Sequence, residues 1–263
     1  MARAKKNTKN KLYGAKGDSS SFTNNISDDE LAKFQTMAEE WWRPDGAFRP
    51  LHELNPIRCD YIQQQWQAHC GHGIAGKKIL DIGCGGGLLS VALYQWGGVV
   101  LGIDAEPTTI KVARTYQAKQ KFYDGLTFDV ATPEILLADK KNLAAFDMVL
   151  AMEVIEHVMD GKKFVANIAQ LVKPDGLVIF STINRNLNSF LLAIVGAEYI
   201  LHLLPKGTHQ YRQFVRPEEL SGYCRLAGLL PKDLTGLLYN PLLKKTALSK
   251  NNFKVNYFLT ASF

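Results

Sequence analysis

The chain has 263 residues, 46% of them hydrophobic, and 31 basic against 25 acidic side chains give a net charge of +6. That suits one α/β domain with extensions or two small ones. Arg3, Lys5, Lys6, Lys9, Lys11 and Lys16 carry the whole excess within residues 1–17, so the body is balanced, which argues against a nucleic-acid-binding body. Cys59, Cys70, Cys84 and Cys224 form no regular framework, which excludes a disulfide scaffold and points to a reduced compartment.

Residues 1–26 read as a disordered basic tail without the apolar stretch of a signal peptide. The tail is acid-poor like a mitochondrial transit peptide, yet lysine-rich and without apolar periodicity. Residues 27–263 read as one domain, of which 27–75 form an N-terminal helical cover. Ser27, Asp28 and Asp29 before Glu30 signal a helix start, and apolar positions 31, 34, 37, 38, 41 and 42 make a helical stripe ended by Pro44 and Gly46. Asn55-Pro56 predicts the start of a second helix through Ile62 and Trp66. As a lid, this cover would carry His52 and Arg58 towards a ligand. His69, Cys70 and His72 crowd together but lack a second ligand pair at zinc spacing, so they read as a connector.

The central stretch is Ile79-Leu80-Asp81-Ile82-Gly83-Cys84-Gly85-Gly86-Gly87, and Leu88–Tyr94 after it reads as a helix. Strand, glycine turn and helix bring backbone N–H groups close to a nucleotide-like ligand. A second apolar run, Val99–Ile103, ends in Asp104, whose carboxylate can bind the two ribose hydroxyls of an adenosine. A dinucleotide site would want a third glycine at position 88, which is leucine. The pattern Asp81-x-Gly83-x-Gly85-x-Gly87 instead resembles the first motif of class I methyltransferases, which bind S-adenosylmethionine.

Further on, Pro107–Lys121 reads as a helix and Leu126–Val130 as a third strand, with Ala131, Thr132 and Pro133 where an adenine would lie. Phe146–Met152 is a fourth strand, Val154–Leu171 a helix, Lys173–Gly176 a turn and Leu177–Ile183 a fifth strand. Leu234–Tyr239 and Phe253–Thr260 read as an antiparallel closing pair joined by a short Asn/Lys-rich link. The expected fold is α/β, with a doubly wound, mostly parallel seven-stranded sheet.

Two stretches carry chemistry beyond the glycine motif. On a helix, Glu153, Glu156 and His157 would share one face at i, i+3 and i+4. Three readings stay open: a histidine general base among carboxylates, a divalent-metal site, or a helix-start acid pair with a satisfied histidine. Residues 184–216 form an apolar and basic insertion. Its core, Phe190–Leu204, is too short to span a bilayer, and from Arg185 to Arg216 the net charge is +3. Apolar helix plus basic rim is the pattern of a segment lying on an anionic membrane surface, and a buried or dimer-forming helix is the alternative.

Several blocks resemble one family, the ubiquinone biosynthesis O-methyltransferases. They are Trp41-Trp42, Phe48-x-Pro50-Leu51-His52, Asn55-Pro56-x-Arg58, Leu80-Asp81-x-Gly83-Cys84-Gly85-Gly86-Gly87, Met152-Glu153-x-x-Glu156-His157-Val158 and Asn184-Arg185. Gly196–Ile200, Pro205–His209, Pro217-x-Glu219-Leu220 and Gly236-x-x-Tyr239-Asn240-Pro241 extend the resemblance to the end of the chain. It implies a class I fold and methyl transfer from S-adenosylmethionine to 2-polyprenyl-6-hydroxyphenol and 3-demethylubiquinol. By position, Arg58, Gly83, Asp104 and Met152 would contact the cofactor, together with Asp81 and Gly85 of the motif. Glu153, Glu156 and His157 would bind magnesium or another divalent cation, or His157 and Glu153 would act directly on the acceptor. The resemblance further implies a polyprenyl phenol or quinol substrate, other ubiquinone-biosynthesis proteins as partners and no nucleic acid. The expected location is cytoplasmic and peripheral at the inner membrane, or at the matrix face in a eukaryotic source. Rival readings are methylation of another small phenolic or lipid acceptor, an NAD-dependent oxidoreductase and a non-enzymatic lipid-binding protein.

Overall fold

In the structure, a computed structural model, residues 36–185, 214–240 and 245–263 are described. The basic tail, the helix start at Ser27–Glu30 and the apolar helix expected at Phe190–Leu204 lie outside these residues.

Five apolar runs make five parallel strands: β1 (Lys78–Ile82), β2 (Val99–Asp104), β3 (Leu126–Val130), β4 (Phe146–Met152) and β5 (Val172–Ile183). Three more follow: β6 (Leu230–Asn240), β7 (Lys245–Ser249) and β8 (Asn256–Ser262). The sheet order is β3-β2-β1-β4-β5-β8-β6-β7, with the last three strands joined antiparallel. The sheet therefore has eight strands where seven were expected. The extra strand is β7, inside the stretch read as a link. It is a short edge strand, a place where charged and polar residues guard against stray pairing, so its sequence carries little strand signal. The closing pair expected from the sequence is β6 with β8.

Helices cover both faces. α1 (residues 36–41), α2 (Arg49–Cys70), α3 (Leu88–Gln95) and α4 (Pro107–Gln120) belong to one side, where Ile62, Trp66, Leu93 and Ile110 pack with Ile79, Val100, Met148 and Ile179. α5 (Pro133–Leu137), α6 (Gly161–Leu171) and α7 (Pro217–Leu226) belong to the other, where Phe164, Val165, Ile168 and Leu220 pack with Leu80, Ile82, Val149 and Phe180. Neighbours in β1 thus split between the faces, Ile79 to one core and Leu80 to the other, as strand geometry requires. Both faces being covered, the inner parallel strands are apolar almost throughout.

β6 and β8 begin a few residues away from the expected Leu234 and Phe253, and three other boundaries differ for a direct physical reason. α2 starts at Arg49, with Pro50 in its first turn, and carries Pro56 inside the helix. Proline removes one backbone donor there, but the helix is held by burial of Cys59, Tyr61, Ile62 and Trp66. The turn Lys173–Gly176 is an excursion within β5, where pairing jumps from Phe146–Val172 to Met148–Leu177. Finally, the helix expected over Val154–Leu171 is two pieces: a 3-10 turn at Ile155–His157, then α6. Asp160 caps α6 by accepting a hydrogen bond from the Lys163 N–H at 3.0 Å, and Gly161 follows it. Asp160→Ala should therefore lower unfolding free energy by about 0.5–2 kcal/mol in denaturant titration, while Asp160→Ser should retain most of it.

Candidate functional site

The carboxyl ends of β1, β2, β4 and β5 share one rim, and the glycine loop leaves it from β1. Gly83 donates its N–H to the Ile103 carbonyl at 2.8 Å, which ties the loop to β2. Gly85 adopts φ +53° and donates its N–H to Asp104 Oδ2 at 2.9 Å. The other Asp104 oxygen accepts from the Glu106 N–H, also at 2.9 Å. Asp104 is half-buried and stands at the tip of β2 beside Val130, with the Ala131 N–H bound to its own carbonyl. The stretch singled out for adenine, Ala131 to Pro133, is thus adjacent to it.

Asp81 sits underneath. Its side chain is buried and accepts the Ser90 hydroxyl at 2.5 Å, joining β1 to α3. Burial pushes its carboxyl up to about 6 against Ser90 and Arg58, which pull it down. In the structure this residue supports the loop from below rather than lining it.

Above the loop lies the N-terminal cover. Gly86 is unlike its neighbours, because its φ is not positive and its backbone suits any residue. What requires glycine there is Trp41, for a Cβ on Gly86 would stand 2.4 Å from the indole Nε1. The adjacent Trp42 donates from its own Nε1 to the Gly86 carbonyl at 3.2 Å and stacks on Tyr116 of α4, ring centres 3.4 Å apart. The sequence places Trp41 and Trp42 on an apolar helical stripe and within a family resemblance, neither of which points to the glycine loop; the hint of close packing is a fourth glycine in a loop whose turns need three.

At the next strand end, Met152 is buried as the last residue of β4. Glu153 follows with φ +56°, a left-handed conformation that a side chain rarely adopts. Its carboxylate accepts the Ser181 hydroxyl at 2.6 Å, and Oε1 lies 3.7 Å from Arg58 Nη2. Glu156 is buried and accepts the Thr182 hydroxyl at 2.8 Å. Burial, then the charge of Glu153, hold its carboxyl well above the usual range. His157 is exposed. The shared helical face expected for these three residues is therefore absent. The left-handed residue and the 3-10 turn send Glu156 inward and leave His157 outside. Among the described residues no group of three His, Cys, Asp or Glu side chains is arranged to hold a metal ion. The hydroxyls of Ser181 and Thr182, which the sequence reading passed over, are what both carboxyls bond to. Two polar residues ending an apolar strand were their only signal.

Arg58 is buried on α2, in reach of Glu153 and close enough to Asp81 to lower its carboxyl. His52 on the same helix is bonded to the Trp41 carbonyl at 2.9 Å, so it fastens the cover rather than facing a ligand. Arg185, counted in the basic rim of the insertion, is bound by Glu219 of α7. Of the three residues read as a connector, His69 and Cys70 form the last turn of α2, where His69 bonds the Asp175 carbonyl and Cys70 donates to the Trp66 carbonyl, and only His72 lies beyond the helix.

Known proteins share this fold and much of this sequence. A family model described as a methyltransferase domain matches residues 51–230. A ubiquinone biosynthesis O-methyltransferase of Azoarcus sp. is 46% identical over 232 residues, covering 88% of this chain and 95% of the relative. One of the same name from Coxiella burnetii is 44% identical over 233 residues, covering 89% and 94%. Among solved structures, the magnesium protoporphyrin IX methyltransferase of Synechocystis, with bound SAH, matches with a TM-score of 0.59 at 18% identity, over 88% of this chain and 93% of that one.

Two outcomes test this account of the loop. Gly86→Ala should cost about 1–3 kcal/mol in denaturant unfolding through overpacking, and much of that cost should vanish in a Trp41→Ala background. The second concerns Asp81. Its folded pKa of about 6 lies above the ordinary 3.8, so its contribution to stability is full below about pH 4 and is lost as pH rises to about 6. Asp81→Asn cannot ionise, so its unfolding temperature should gain on that of the parent between pH 4 and 6 and stay parallel above.

Proposed function

This chain belongs to the ubiquinone biosynthesis O-methyltransferase family, and from that premise we propose that it transfers the methyl group of S-adenosylmethionine to a catechol-type polyprenyl phenol or quinol. The observation that carries the reading is identity of 44–46% running through about nine tenths of both chains. The 2-polyprenyl-6-hydroxyphenol and 3-demethylubiquinol steps are the acceptor reactions it implies. An oxidoreductase reading loses its ground, because Leu88 stands where a dinucleotide fold wants glycine.

S-adenosylmethionine supplies an activated methyl on sulfonium, so the protein must place it and prepare an oxygen nucleophile. The glycine loop, with Gly83 and Gly85, would carry the methionyl part. Asp104 is half-buried at the strand tip, where its carboxylate would take the ribose hydroxyls. Met152 would pack beside the sulfonium, and Arg58 would face the charged end. Asp81 would serve by holding the loop's position through Ser90.

A phenol ionises near pH 10, so its proton must be taken as the bond forms. His157 is proposed as the base, since it is exposed on the rim where an acceptor arrives. Glu153, bonded by Ser181, would hold the acceptor's second hydroxyl. Glu156 is buried against Thr182 and His157 is exposed, so the three do not fit one shared cation in this arrangement, and no step is routed through a metal.

A polyprenyl acceptor lives in a bilayer, so the enzyme would work at a membrane surface, peripherally on the cytoplasmic side or the matrix side. Among the described residues no helix is long and apolar enough to cross a membrane. The basic charges of residues 185–216 and the apolar run between them support surface contact. Arg185 contributes less than its charge suggests, being held by Glu219. Other ubiquinone-biosynthesis proteins would be its partners there.

The test is methyl transfer to a short-chain polyprenyl catechol. Asp104→Ala should weaken S-adenosylmethionine by about 1.5–3 kcal/mol in calorimetry, while His157→Ala should cut kcat with cofactor binding intact. Activity lost to chelator and restored by magnesium would replace the base mechanism with a metal-assisted one. No turnover with any catechol acceptor would overturn the proposed function.

A further inference from the structure

Among the described residues three buried side-chain atoms lack a hydrogen-bond partner: Trp41 Nε1, Asn55 Oδ1 and Arg58 Nε. Buried polar atoms in folded proteins are nearly always paired, so each such atom asks for an explanation. All three belong to the N-terminal cover, and all three border the glycine loop or its rim. The Trp41 indole lies against Gly85 and Gly86, where Cβ atoms would stand 3.0 and 2.4 Å from it. Asn55 donates its Nδ2 to the carbonyl of Leu88, the residue that ends the loop, at 3.4 Å. Arg58, one turn further along α2, reaches Glu153 at 3.7 Å.

Nor is Trp41 free to turn elsewhere. Trp41 is fixed by Phe48, with ring centres 4.1 Å apart, and by the His52 bond to its carbonyl. Its neighbour Trp42 is pinned to Gly86 and Tyr116. Asn55 and Arg58 are three residues apart on one helix and so face the same way.

The chemistry of the three atoms is specific. Two are N–H donors and one is a carbonyl acceptor. A carboxylate takes donors, and an ammonium needs an acceptor. An α-amino acid carries both on a single carbon. We propose that Trp41 and Asn55 join Arg58 as the grip for the amino-acid end of S-adenosylmethionine, with the indole and guanidinium N–H groups on its carboxylate and the Asn55 carbonyl on its ammonium. This rests on the cofactor reading above and adds to it two residues from the cover. It also gives the cover a purpose beyond packing: it binds the ligand and shuts the loop with the same side chains.

The experiment is calorimetry on the full chain with two probes. S-adenosylhomocysteine has the amino-acid end; 5′-methylthioadenosine has the same nucleoside and no amino acid. Trp41→Phe keeps a ring and removes the N–H. Asn55→Leu keeps the approximate shape and removes the carbonyl. Each should weaken S-adenosylhomocysteine about tenfold or more, as loss of a hydrogen bond to a charged group does, and leave methylthioadenosine within about twofold. Asn55→Asp, which retains an acceptor, should bind S-adenosylhomocysteine more tightly than Asn55→Leu. Thermal unfolding confirms that each variant is folded, and because the two residues stand apart, one folded variant is enough to decide. Equal losses for both probes, or unchanged affinity for S-adenosylhomocysteine, would overturn the grip while leaving the cofactor reading intact. A parent chain that binds neither nucleoside would overturn both.

Discussion

One crowded junction holds the rim of the sheet together, the glycine loop pressed between β2 and the N-terminal cover. From the side, Gly85 is bound to Asp104. From below, the buried Asp81–Ser90 bond locks the strand to the helix that follows. From above, the indole of Trp41 comes so close to Gly86 that no Cβ fits. Backbone donors can only be presented to a ligand if the loop that carries them is held rigid, and here the holding comes from three separate parts of the chain.

The second half of the rim follows a different logic. Its acids turn towards two hydroxyls on the neighbouring strand, Ser181 and Thr182, which leaves Glu156 buried and Glu153 half-buried. A left-handed Glu153 makes that turn possible, and strained backbone of this kind is held only where the surroundings over-determine it. Here they do, since the Glu153 N–H also bonds the Ser181 carbonyl at 2.9 Å. The antiparallel strands complete the wall: Tyr257 of β8 donates its hydroxyl to the Val215 carbonyl at 3.0 Å, tying the chain down just before α7. The Arg185–Glu219 pair fastens the end of β5 to that same helix. Both ends of the 184–216 stretch are thus anchored beside α7.

What the sequence by itself determined is the part governed by local pattern. Apolar runs of strand length separated by helical stripes dictate a parallel sheet with helices on both faces, and Asp104 after the second run and the glycines after the first mark the carboxyl-end rim of that sheet. These signals survive because periodicity and glycine placement act within a few residues. The tertiary structure alone decided the rest. Glu153, Glu156 and His157 have helical spacing, yet bonds to a strand 28 and 26 residues away turn the acids inward and leave the histidine outside. Pro56 looks like a helix start, yet the buried face of α2 carries the helix through it. The polar edge strand β7 is set by its pairing with β6 and hardly by its composition. Gly86 reads as one more flexible glycine, yet its reason is an indole 45 positions earlier. In each case the deciding contact joins residues far apart in the chain, and one-dimensional pattern holds no record of such a contact until the fold brings its partners together.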